Sequence, residues 1–151
     1  MKAATVVHAL AAQQHRPSNV DDDGRLKKIL QSLLEVNAEL TVVFPVHPRT
    51  RQRLARFGLD PGQLQLLEPL PYIEFLALQR HATVVITDSG GIQEETTYLN
   101  VPCITLSKTT ERPITANLGT NVLVGQDVSK LQVELDKIRD GKAKRGQTPP
   151  L

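Results

Sequence analysis

The 151-residue sequence has one cysteine, no tryptophan, two tyrosines and three phenylalanines. A single thiol, Cys103, excludes an internal disulfide framework and a multi-cysteine metal site. Five aromatic residues give no stacking platform for single-stranded nucleic acid. Eighteen basic against sixteen acidic side chains leave a formal charge of +2, and no basic stripe marks a DNA or RNA footprint. There is no run of about 18 apolar residues, so nothing is expected to span a membrane. Met1-Lys2-Ala3-Ala4, with Gln13-Gln14-His15-Arg16 close behind, lacks the form of a secretory leader. The expectation is a cytoplasmic protein. His8, His15, His47 and His81 have no close paired spacing, so no metal site is expected.

Hydrophobic residues make up 40% of the chain and charged residues 23%, the balance of a folded globular domain. Apolar runs alternate with amphipathic stretches. Thr5–Ala11 reads as a first strand. Leu26, Ile29, Leu30, Leu33 and Leu34 share one helical face, with Asp21-Asp22-Asp23 at its start, where the helix dipole favours acids. Leu40–Val46 is a second strand, closed by His47-Pro48-Arg49. A short helix follows over Thr50–Phe57, stopped by Gly58. Leu64–Leu67 is a third strand, and Pro69 and Pro71 turn the chain into a helix over Tyr72–Arg80. Thr83–Thr87 is entirely β-branched and has no polar alternation, as in a parallel strand covered on both faces. A helix over Ile92–Leu99 ends at Asn100. Pro102–Leu106 is a fifth strand, followed by a short helix over Ile114–Leu118 stopped at Gly119. Asn121–Val124 is a sixth strand, and Ser129 is placed to cap a helix to about Arg139. This alternation predicts one α/β domain with a doubly wound, Rossmann-like parallel sheet. Residues 141–151 read as an exposed tail.

Ligands of such sheets sit outside the carboxyl ends of the strands, and four polar sets fall there. Asp88-Ser89-Gly90-Gly91 joins the buried fourth strand to a helix. Two glycines admit close approach to the backbone, and the unpaired amides of the helix start suit a phosphate. A plain tight turn capped by Ser89 fits equally well. Glu94 and Glu95 lie in the first turn of that helix. They either complement its dipole or accept hydrogen bonds from a ribose diol. His15-Arg16-Pro17-Ser18-Asn19 follows the first strand, as a polar turn or as cationic donors to an anion. His47-Pro48-Arg49 follows the second strand and Glu111-Arg112-Pro113 the fifth. Their convergence on one edge favours a site over four independent loops. Cys103, inside an apolar strand, reads as an inert buried thiol.

Taken in order, His15-Arg16-Pro17-Ser18-Asn19-Val20-Asp21, Phe44-Pro45-Val46-His47-Pro48-Arg49, Asp88-Ser89-Gly90-Gly91-Ile92-Gln93-Glu94-Glu95, Thr110-Glu111-Arg112-Pro113 and Gly119-Thr120-Asn121 closely resemble the non-hydrolysing UDP-N-acetylglucosamine 2-epimerases. The resemblance runs from about His15 to Leu151, whereas Met1–Gln14 matches poorly. It implies the second domain of a GT-B-type fold, with the first domain absent. The implied reaction interconverts UDP-GlcNAc and UDP-ManNAc by elimination and re-addition of UDP, without nicotinamide, metal or other cofactor. By position, Ser89, Gly90 and Gly91 would hold the diphosphate and Glu95 the ribose hydroxyls. Phe75 would lie near the uracil. His15 would assist departure of the leaving group, with Arg16 beside it. Arg112 would complete the phosphate or sugar end, and His47 and Arg49 would shape the cleft floor. The carboxylates that move the C2 proton belong to the family's first domain, so this chain alone is expected to be inactive. Implied partners are a UDP-sugar, the missing domain as a fusion or split half, and a second copy in a homodimer. The competing readings are one half of a GT-B-type glycosyltransferase, and a non-catalytic nucleotide-sugar-binding module.

Overall fold

The computed structural model describes residues 4–7, 27, 30, 31, 33–35, 37, 41–46, 48–56, 58, 64–68, 70–87, 90–106, 110, 112–125, 127–142, 144 and 146. The strands are β1 (Ala4–Val7), β2 (Thr41–Pro45), β3 (Gln65–Leu67), β4 (Ala82–Thr87), β5 (Cys103–Thr105) and β6 (Asn121–Leu123). A helix α1, whose described residues fall between 27 and 37, precedes β2. The later helices are α2 (Pro48–Arg56), α3 (Tyr72–Arg80), α4 (Gly90–Leu99), α5 (Pro113–Asn117) and α6 (Val128–Arg139).

The described strands form one sheet in the order β3-β2-β1-β4-β5-β6, and every pairing is parallel. The chain builds outward from β1 through β2 to β3, then crosses back to lay β4 against the other edge of β1. The direction of winding reverses there, so a crevice opens between the carboxyl ends of β1 and β4. Val7 pairs with Ile86 at that end, one residue before β4 closes at Thr87.

Local chemistry explains most boundaries. β4 is central, and Val84, Val85, Ile86 and Thr87 have no exposed surface. That is the burial its unbroken β-branched composition predicts. The second helix begins at Pro48, two residues earlier than the spacing predicts, because proline serves well as the first helical residue. Gly58, at φ 67°, terminates the following turn with its N–H on the Ala55 carbonyl. Asn100 ends α4 at φ 57°, a conformation asparagine tolerates better than most side chains. Ser129 does not cap α6. Asp127 does, its Oδ1 accepting from the amides of Ser129 at 2.9 Å and Lys130 at 3.3 Å. The serine lies too far inside the helix to act as the cap.

Beyond α6, Gly141, Lys142 and Lys144 are exposed, and the Lys144 ammonium donates to the carbonyls of Ala116 and, at 2.9 Å, Asn121. Gly146 lies so close to the backbone of Gly119 and Thr120 that a Cβ there would stand 2.6 Å from Gly119 C.

Candidate functional site

The site grows from the end of β4. The strand is held on both sides, by β1 and β5, so the residues that follow it leave a rigid platform. Asp88 and Ser89 lie outside the described residues, and α4 starts at Gly90. The first amides of a helix have no partner within it, and they sit at the positive end of its dipole. Gly91, the second residue of α4, is exposed.

The first turns of α4 carry a run of polar side chains with separate partners. Gln93 is buried and its Oε1 accepts the Thr110 hydroxyl at 2.5 Å. The same hydroxyl oxygen accepts the Arg112 amide at 2.9 Å, and the Thr115 hydroxyl bonds the Arg112 carbonyl at 2.7 Å. The backbone around Arg112 is therefore tied both to α4 and to the start of α5. Its guanidinium Nε donates to Glu94 Oε1. Both partners of this ion pair are nearly half exposed, at 44% and 45%, so the pair contributes little to stability. Its consequence is placement, since it ties the Arg112 guanidinium to the second turn of α4.

Glu95 is held differently. Its Oε1 accepts the Gln79 side-chain amide at 2.9 Å, and its carboxylate lies near enough to the Tyr72 hydroxyl to perturb it. Hydrogen bonding to the carboxylate and then its negative charge push the Tyr72 hydroxyl above its ordinary 10.0. Gln79 has no exposed surface. Both side chains come from α3, seven residues apart on one face, with Phe75 between them. Phe75 is 7% exposed and packs with Val85, Ile92 and Val101, so its ring belongs to the core beneath the site.

Of the expected site residues, Glu95 is tied to α3, Arg112 at the start of α5 pairs with Glu94, and Phe75 lies in the core; Glu94 and Glu95 fall in the second turn of α4 and not in its first, because the helix begins at Gly90. Gly90 and Gly91 form the helix start. His15, Arg16, His47 and Ser89 lie outside the described residues, as does the side chain of Arg49, whose backbone falls in α2. Sequence reasoning missed Gln79, Tyr72, Gln93 and Thr110. One signal was available for Gln79, a polar residue four positions from Phe75 on the buried stripe of a helix. Cys103 is buried as expected. Desolvation raises its thiol to about 11, against a smaller lowering from hydrogen bonds with Thr96 and Thr105.

The comparisons with known proteins agree on one family. The family model described as UDP-N-acetylglucosamine 2-epimerase matches residues 5–150. The match thus begins ten residues before the first recognisable motif at His15. The UDP-N-acetylglucosamine 2-epimerase of Methanocaldococcus jannaschii is 42% identical over 139 residues, which cover 85% of this chain and 38% of that protein. The UDP-2,3-diacetamido-2,3-dideoxy-D-glucuronate 2-epimerase of Pseudomonas aeruginosa is 39% identical over 77% of this chain and 33% of that one. The crystal structure of the M. jannaschii enzyme with UDP-GlcNAc and UDP superposes with a TM-score of 0.79 at 35% identity, covering 97% of this chain and 42% of that chain. An Escherichia coli heptosyltransferase, WaaC, shares the fold alone, at a TM-score of 0.55 and 18% identity. The architecture is the Rossmann-like half of a GT-B-type fold, and the chain spans little more than a third of the curated relatives it matches. By its sequence match and its superposition, the chain belongs to the UDP-N-acetylglucosamine 2-epimerase family.

Proposed function

We propose that this chain is the nucleotide-binding half of a UDP-N-acetylglucosamine 2-epimerase, one that seats UDP and turns over only with a second domain. The observation that carries the reading is the Arg112–Glu94 ion pair next to Glu95 in the second turn of α4, the helix that follows the buried central strand. It occurs in a chain that superposes over 97% of its length on an epimerase crystallised with UDP-GlcNAc and UDP.

The reaction has two halves. The C2 proton is removed and its electron pair forms the C1–C2 double bond, while the bond from C1 to the diphosphate oxygen breaks and UDP departs. A proton then returns to C2 from the opposite face and the UDP oxygen re-adds at C1, which yields the N-acetylmannosamine form. This chain's task is to stabilise the diphosphate as its negative charge develops, a duty for fixed donors rather than for a base. The Ser89-Gly90-Gly91 turn and the amides of α4 hold the diphosphate, with Arg112, His15 and Arg16 as the cations. Glu95 takes the ribose diol, and Phe75 backs the uracil end. His47 and Arg49 belong to the cleft floor. The base and acid at C2 come from the family's other domain, joined to this one by fusion or supplied by a split partner.

No helix among the described residues is long and apolar enough to cross a membrane. A cytoplasmic location, and supply of the product sugar to cell-surface polysaccharide synthesis, belong to the same proposal. Calorimetry with UDP, paired with a coupled epimerase assay, tests it. UDP is expected to bind and Glu95→Ala to weaken it by about tenfold or more, the loss of charge-assisted hydrogen bonds. No turnover is expected. Absence of UDP binding, or epimerisation by the purified chain alone, overturns the reading.

A further inference from the structure

Gln79 is a poor choice for stability. It has no exposed surface and, among the described residues, its Oε1 has no hydrogen-bond partner and its one side-chain bond goes to Glu95. A buried amide left half satisfied costs free energy that an apolar residue of the same size would not. Glu95, in contrast, is only part-buried and could meet its needs with water. The contact therefore does more for the carboxylate than for the core.

An ionised carboxylate has about four acceptor positions. Gln79 takes one on Oε1, and the Tyr72 hydroxyl stands near the same carboxylate. Both come from α3, which packs against the side of α4. At least two positions remain, as many as the two hydroxyls of a ribose require. We propose that Gln79, assisted by Tyr72, is a positioning residue that locks the Glu95 carboxylate for the ribose diol and so sets the preference of this site for ribonucleotides. The inference rests on the reading of Glu95 as the ribose contact and names what makes that contact selective.

The test compares UDP with 2′,3′-dideoxy-UDP, which lacks both hydroxyls, by ligand-titration NMR on the full 151-residue chain. Millimolar ligand reports even weak binding. The wild-type chain is expected to favour UDP by about tenfold or more, and Glu95→Gln to reduce that preference. Gln79→Met keeps the length and removes the donors. It is expected to cut the preference by about 3- to 10-fold, chiefly through weaker UDP binding, with dideoxy-UDP affinity unchanged and a melting temperature equal to or above wild type. Tyr72→Phe, at a 61% exposed position where folding is not at stake, is expected to act in the same direction.

If Gln79→Met fails to fold, Tyr72→Phe alone decides. Equal weakening of both ligands by Gln79→Met, or a wild-type preference in the variants while Glu95→Gln loses it, overturns the positioning role and leaves the ribose contact standing. A wild-type chain that binds neither ligand, or binds both equally, overturns the ribose reading itself.

Discussion

On one face of the sheet Val42, Phe44, Val84, Ile86 and Ile104 pack against Leu30 and Leu33 of α1, Leu54 of α2 and Leu131 and Leu135 of α6. None of these side chains carries a polar atom. On the other face, beneath α3, α4 and α5, the same strands present Val85, Thr87, Cys103, Thr105 and Asn121, and the helices add buried Gln79, Gln93, Thr96 and Thr115. Successive residues of a strand point to opposite faces, so residue parity divides the two chemistries. Even-numbered positions of β2, β4 and β5 build the apolar face, and odd-numbered positions build the other. The proposed site stands on the second. Polar atoms are costly to bury unless paired, and here most are paired, in short chains such as Thr105–Asn121–Thr115. One face provides the cohesion of the domain, and the other accepts internal polarity that fixes the start of α4, α5 and their side chains.

Breaking the apolar face has the largest expected effect. Ile86 has no exposed surface, and Ile86→Ala removes most of its side chain from the middle of the sheet. The expected cost is about 3–4 kcal/mol, from lost transfer energy and the cavity left behind. Urea unfolding measures it. UDP affinity of the folded fraction should stay at the wild-type value, because none of the described side chains of the site belongs to this apolar cluster. A selective loss of UDP binding would show that the two faces are not separable.

Alkaline pH probes the other face at its most deeply placed ionisable group. Burial raises the Cys103 thiol from 9.0 to about 11. Below pH 9 both folded and unfolded chains hold the proton, and the stabilisation is fully present. Between about 9 and 11 the unfolded chain loses its proton while the folded one keeps it, so stability falls with rising pH. The loss approaches about 3 kcal/mol once the folded thiol also ionises. The difference between wild type and Cys103→Ala in unfolding free energy, followed from pH 8 to 11, isolates this contribution from the lysines and tyrosines. A flat difference would mean the thiol is solvated.

Much of this architecture is legible from sequence, for definite reasons. The β-branched run ending at Thr87 marks a strand covered on both sides, and α3 keeps its predicted bounds of Tyr72 and Arg80 between a proline and a strand. Gly58 and Asn100 stop their helices as expected. The division between faces is not legible in the same way. A strand buried on both sides reads as one continuous apolar run, and nothing local says which parity meets α3–α5. Asp127 and Ser129 are both good caps two residues apart, so composition alone does not choose between them. Gln79 and Lys144 act across distances of 16 to 28 residues, which no window of sequence spans. The proposed site is read from ordered motifs that resemble a family. Its internal ties, Gln93 to Thr110 and Gln79 to Glu95, needed the helices to be placed side by side.

The smallest effect sharpens the comparison most. Thr105 has no exposed surface, and its hydroxyl donates to Asn121 Oδ1, whose amide donates in turn to the Thr115 hydroxyl at 3.1 Å. Thr105→Val keeps the shape and removes the donor, which leaves the buried Asn121 oxygen unpaired. A stranded buried acceptor costs about 1–3 kcal/mol, so a loss near 2 kcal/mol is expected in urea unfolding. Thr105→Val combined with Asn121→Leu strands no side-chain carbonyl. It should cost less than the sum of the two single changes, because the partners are removed together. Simple additivity in that double-mutant cycle would mean that the polar face is held by independent contacts, and its contrast with the apolar face would then be one of composition only.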